Sequence, residues 1–74
     1  EDTLTDIEIH TDTIQLDQFL KLAGAVPSGG MVKERIAAGA ILRNGTVETA
    51  RRRKLSVGDV ITIDGEDTYR VIRA

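Results

Sequence analysis

His10 is the one histidine in the chain, Ser28 and Ser56 are its serines, and cysteine is absent. Nucleophilic catalysis by a serine needs a base beside it and a carboxylate to orient that base, and no local signature brings His10 to either serine. Zinc needs several His or Cys ligands at set spacings, which a solitary histidine does not supply. His10 is therefore expected on the surface or at a strand end. The carboxylates near the N-terminus lack the ordered Asp, Asn and Gly spacing of a calcium loop and read as strand and cap residues. These absences predict a protein that is not an enzyme and carries no metal or cofactor.

Anion binding is better supported. The segment Gly24-Ala25-Val26-Pro27-Ser28-Gly29-Gly30 has the glycines that let backbone N–H groups approach a phosphate at a helix start. It fails as a nucleoside-triphosphate loop, because Gly30 and Met31 stand where Lys and Ser or Thr are needed. What remains is a site for a backbone phosphate, made by the amides of Gly29, Gly30 and Met31 with the Ser28 hydroxyl and Lys33 one turn away. A helix cap and tight turn fit the same residues.

Charge is unevenly spread. The chain has 10 Lys and Arg against 12 Asp and Glu, but residues 1–20 hold six acidic residues and no basic one. Residues 21–63 hold eight basic residues against three acidic ones. Local potential governs binding more than the total, so this central segment is a candidate anion-binding face. On charge alone, Arg51–Lys54 fits a solvated turn equally well.

The positioning elements follow from periodicity and punctuation. Leu4, Ile7 and Ile9 alternate with polar and acidic residues and predict a strand over 4–10 whose acidic side chains would blunt a sheet edge. Asp12 or Thr13 is expected to cap a helix carrying Leu16, Phe19, Leu20 and Ala23 on one face, stopped by Gly24. Lys21 then lies at the border of that face. Pro27 separates it from a second helix of about 30–38, capped by Ser28 and ended by Gly39, with Val32 and Ile36 inward and Lys33 outward. Asn44-Gly45 and Asp64-Gly65 are hairpin signals between short apolar runs, and Gly58-Asp59 marks a further turn. The expected architecture is α+β in the order β-α-α-β-β-β-β, two short helices on a small, mostly antiparallel sheet.

On this scaffold Arg43 adjoins the first hairpin turn, Arg51–Lys54 follow its second strand, and Lys21 and Lys33 lie on the helices. Their convergence would make a basic patch suited to the phosphates of a nucleic acid. Phe19 belongs to the core and Tyr69 to a terminal strand, so base stacking is not expected; for a nucleic-acid partner, shape and phosphates should dominate over base reading, and RNA helices offer such a target.

The same order of motifs resembles the small RNA-binding domain named after ribosomal small-subunit protein S-four, also called the alpha-L motif. It carries Ile14-Gln15-Leu16-Asp17-Gln18-Phe19-Leu20-Lys21 with Gly24, Ser28-Gly29-Gly30-Met31-Val32-Lys33, Gly39, Asn44-Gly45, Arg51-Arg52-Arg53-Lys54-Leu55 and Gly58-Asp59-Val60, within residues 14–63. The Ser-Gly-Gly-Met-Val-Lys stretch is similar to the stand-alone bacterial members. The resemblance implies an RNA-binding surface on the helix pair and hairpin, here Lys21, Ser28, Lys33, Arg43, Asn44, Arg51, Arg52, Arg53 and Lys54, with no enzymatic activity. Gly29 and Gly30 join this set from the phosphate argument. Arg43 departs from the pattern, standing where the family has an apolar residue, and is expected to face the surface through a local register change.

Length bounds the rest. A chain of 74 residues with 41% hydrophobic and 30% charged residues is read as one domain, 1–74, with a thin core and no deep catalytic cavity. No apolar run approaches the ~18 residues of a membrane span. Nothing within the chain resembles the charged start and apolar centre of a signal peptide, and the missing initiator Met leads to the expectation that Glu1 marks a trimming boundary. The expectation is a cytoplasmic monomer that binds structured RNA, ribosomal or transfer RNA being eligible. The competing expectation is a protein-interaction module using a sheet face, marked by an exposed apolar patch and weak salt dependence.

Overall fold

The computed structural model describes residues 3–74, so Glu1 and Asp2 of the acidic stretch lie outside it. The elements are β1 (Thr3–Ile9), β2 (Thr13–Gln15), α1 (Leu16–Leu22), α2 (Gly29–Ala37), β3 (Ile41–Arg43), β4 (Thr46–Val47), β5 (Lys54–Ser56), β6 (Val60–Ile63) and β7 (Asp67–Arg73). The α+β class and the helix pair agree with the sequence. Two short strands, β2 and β5, are added to the expected order and pair antiparallel with each other. The other five form one sheet in the order β1-β7-β6-β3-β4, antiparallel except for the parallel β1–β7 pair.

Register fixes which side chains meet. Ile41 pairs with Ile63, Ile61 with Tyr69 and Val71 with Ile7, so one face of the sheet collects Ile7, Ile9, Ile41, Ile61, Ile63, Tyr69 and Val71. Leu16, Phe19 and Leu20 of α1, Val32 of α2, Val26 between them and Leu55 of β5 complete the buried core with that face. Leu4 belongs to the other side. Its pairing with Thr68 puts it in the row Val47, Leu42, Thr62, Thr68, Leu4 on the outer face, and it is half exposed.

Both helices end as the glycines require. Gly24 and Gly39 have φ of 74° and 70°, a conformation that costs a residue with a Cβ, and each closes a Schellman motif. Gly24 N–H donates to the Lys21 carbonyl and Ala25 N–H to that of Leu20; Gly39 and Ala40 repeat the pattern onto Ile36 and Arg35. Ser28 caps α2 as expected, its hydroxyl accepting from Met31 N–H at 3.4 Å.

The start of α1 is different. Neither Asp12 nor Thr13 caps it: the N-cap is Gln15, which makes no side-chain capping bond. The orphan amides are satisfied across the fold instead, with Leu16 N–H donating to the Arg53 carbonyl at 2.8 Å and Asp17 N–H to the Arg51 carbonyl at 3.0 Å. Thr13 is free for strand pairing with Ser56, which is why the predicted cap became β2.

Candidate nucleic-acid interface

The residues between β4 and β5 include Arg51–Arg53 and form a loop folded around one carboxylate. Glu48 is 5% exposed, the one buried charged residue among those described. Its Oε2 accepts the N–H groups of Thr49 and Ala50, each at 3.0 Å. Its Oε1 accepts the Arg53 Nε–H at 3.0 Å and faces Arg43 Nε at 3.3 Å. Burial works to raise the carboxyl's pKa, but the hydrogen bonds from Ala50, Arg53 and Thr49 and the Arg53 charge together outweigh it, and the group is held below its ordinary value of 4.5. Glu48 is ionised at neutral pH.

Arg43 connects this carboxylate to a second one, since its Nη1 lies 3.6 Å from Asp59 Oδ2. The expected register change does not occur. Arg43 pairs regularly with Thr46 and Ile61, so it points to the same sheet side as Ile41 and is half-buried. Glu48 and Asp59 make that orientation tolerable, because a partly buried guanidinium needs charged acceptors.

Asn44 is tied into the same network. With φ of 52°, and Gly45 at 85°, it forms the tight two-residue turn between β3 and β4. Its Oδ1 accepts Val60 N–H at 2.9 Å and its Nδ2 donates to Asp59 Oδ1 at 3.2 Å, while Asp59 Oδ2 accepts Ser56 N–H at 2.9 Å. Hairpin, loop and the Gly58-Asp59 turn are thereby fastened together. A concavity of about 290 Å³ lies between hairpin and loop, lined by Arg43, Asn44, Thr46, Val47, Glu48, Thr49 and Arg53. Both arginines lining it are already engaged, each with Glu48 and Arg43 also with Asp59 outside the lining.

The remaining candidates occupy the surface. Arg51, Arg52 and Lys54 are exposed, Arg51 and Arg52 in the loop and Lys54 in β5 paired with Gln15. Lys21 and Lys33 are exposed on α1 and α2. At the α2 start, Ser28 engages the amide of Met31, which leaves Gly29 and Gly30 as the first-turn donors. The backbone bonds from Leu16 and Asp17 set the Arg51–Arg53 segment against the first turn of α1.

Ion pairing sorts the cations. Among the described residues Arg35 pairs with Asp64, Arg43 and Arg53 with Glu48, Arg70 with Asp6 and Arg73 with Asp12. Lys21, Lys33, Arg51, Arg52 and Lys54 have no such partner there. The acidic N-terminal stretch thus meets β7 at one edge of the sheet, and β4 with its loop departs from the other.

Comparison with known proteins decides the family. A model of the S4 domain matches residues 7–72. The chain belongs to the S4 domain family. A protein of Bacillus subtilis (strain 168) bearing the name "Probable ribosome maturation protein RlbA" is 44% identical over 66 residues, which are 89% of this chain and 93% of that protein. The match extends beyond the 14–63 motif core on both sides. S4 domain membership and this relative point to RNA-related, non-enzymatic function.

Within this S4 domain the sequence reading missed Glu48 and the linking role of Asp59. Glu48 had one available signal: an acid set between Val47 and a basic run, which needs a reason to sit among residues of opposite charge. His10 is exposed just beyond β1 and Phe19 is fully buried. No helix among the described residues is long and apolar enough to cross a membrane.

Proposed function

We propose that this S4 domain is a cytoplasmic, monomeric module, spanning residues 1–74, that binds structured RNA through phosphates. The observation that carries this reading is the distribution of uncommitted charge. Each Lys or Arg without an ion-pair partner among the described residues lies on the helix pair, in the 48–53 loop bonded to it, or at the start of β5. Lys21, Lys33, Arg51, Arg52 and Lys54 would contact phosphates, and the amides of Gly29 and Gly30 beside Ser28 would add neutral donors. Arg43, Asn44 and Arg53 act mainly by holding the surface in shape. The ribosome-maturation name of the Bacillus subtilis relative makes ribosomal RNA the first target to try.

A protein partner is favoured by one feature, the outer sheet face bearing Leu4, Leu42 and Val47. A salt series separates the two readings. Affinity for a folded ribosomal RNA fragment, followed by fluorescence anisotropy from 50 to 200 mM KCl, should fall steeply because phosphate contacts release counterions. Absent or salt-insensitive binding would refute the RNA reading and advance the protein-partner one.

A further inference from the structure

Arg51 and Arg52 make no ion pair of their own among the described residues, so their presentation depends on what shapes the loop that carries them. Two sets of bonds do this. From beneath, the two carboxylate oxygens of Glu48 divide their neighbours, Oε2 gathering the amides of Thr49 and Ala50 while Oε1 gathers Arg53 and Arg43. From the side, the carbonyls of Arg51 and Arg53 accept the first amides of α1. The loop therefore curls around a buried carboxylate while its carbonyls face the helix.

We propose that Glu48 is a positioning residue for RNA binding, holding residues 49–53 in the shape that presents Arg51 and Arg52 to phosphates. This inference rests on the RNA-binding reading and adds to it a negatively charged residue that strengthens binding to a polyanion. Charge alone says the opposite. An anion beside a phosphate-binding loop lowers the local positive potential, so its removal should tighten binding. Positioning says its removal should weaken binding, because a glutamine cannot replace it. Gln offers a single carbonyl oxygen and an NH₂ that only donates, so either the two amides or the two guanidinium groups would face a donor.

The test is Glu48→Gln, which keeps the side-chain shape and raises the net charge by one. Binding to a ribosomal RNA fragment is measured across 50–200 mM KCl, well below the variant's melting temperature as followed by circular dichroism. We expect affinity reduced at least fivefold, with the log–log salt slope shallower by about 0.7–0.9 for each phosphate that the variant no longer engages. A carboxylate that served only the stability of the fold would leave the slope of the folded variant unchanged. Amide exchange at Leu16 and Asp17 should also quicken. Unchanged or tighter binding by folded Glu48→Gln overturns the proposal while leaving the RNA reading intact. A parent protein that shows no salt-sensitive binding overturns both. Should Glu48→Gln fail to fold, Glu48→Asp carries the test at the parent's charge. Its carboxylate, one methylene shorter, cannot reach amides and guanidinium groups together, so it should bind more weakly, and parent-like affinity overturns the proposal.

Discussion

The double substitution Arg51→Gln/Arg52→Gln tests the partition between committed and uncommitted cations. Five basic side chains are unpaired among the described residues, and each phosphate they engage contributes about 0.7–0.9 to the slope of log affinity against log salt. Five such phosphates correspond to a slope near −4, so raising KCl fourfold from 50 to 200 mM should weaken the parent by about 250-fold. Removing two leaves a slope near −2.4 and a weakening of only about 30-fold over the same range. Stability should barely change, because both side chains are exposed and unpaired. Arg70→Gln/Arg73→Gln is the matched control. It removes the same charge from the opposite sheet edge, where Asp6 and Asp12 already neutralise it. Binding to one RNA fragment is measured by anisotropy for all three proteins. Equal slopes for the two variants would refute the partition, since net charge rather than placement would then govern binding.

Phe19→Ala empties a fully buried site and should cost about 3–5 kcal/mol, visible as a large drop in urea midpoint. That is a major fraction of the ~4–11 kcal/mol expected of a domain this size. Asn44→Ala removes the acceptor of Val60 N–H and puts an ordinary side chain at positive φ, so stability should fall by about 1–3 kcal/mol. Asn44→Gly should recover part of it in the same assay. Stability should fall on acidification in a way that depends on Glu48. Its folded carboxyl binds the proton less readily than the unfolded one, so its contribution is complete above the ordinary value of 4.5 and disappears as pH drops through the lowered folded value. The gap between parent and Glu48→Gln in chemical denaturation should therefore narrow below that point. Asp6→Ala, which breaks an exposed pair with Arg70, should change stability by no more than about 0.5 kcal/mol in thermal melts.

What the sequence revealed depended on whether the signal was local. Both helices were legible because their apolar spacing and their glycine stops are decided within one or two turns. The Asn44-Gly45 hairpin was legible because its positive φ angles select those residue types. The three-residue strands β2 and β5 were not, since neither is long enough for alternation to show and each exists by pairing with the other some forty residues away. The cap of α1 was misread for the same reason. Asp12 and Thr13 have capping chemistry, yet the acceptors come from Arg51 and Arg53, whose carbonyls carry no mark in the sequence. In the candidate site, residue types identified the cations but gave no means of telling a solvated arginine from one neutralised by Glu48 or Asp59. That distinction is made by which guanidinium the fold brings to a carboxylate, since Arg53 is exposed like Arg51 and Arg52 and yet pairs with Glu48.

The parallel pairing of β1 with β7 has a kinetic consequence. Thr3 meets Asp67 and Ile9 meets Arg73, so the edge strand joins its neighbour across a separation of 64 residues. Closing so long a loop is entropically unfavourable until the intervening hairpins shorten the effective distance. The β3–β4 and β6–β7 hairpins and the helix pair can form from near neighbours, and docking of β1 belongs late in folding. During synthesis β1 emerges well before β7 and waits unpaired until that partner strand is made. The acidic residues along it, Asp6 and Glu8, then act as a temporary guard, because a charged strand with open hydrogen-bonding groups is a poor template for another nascent chain.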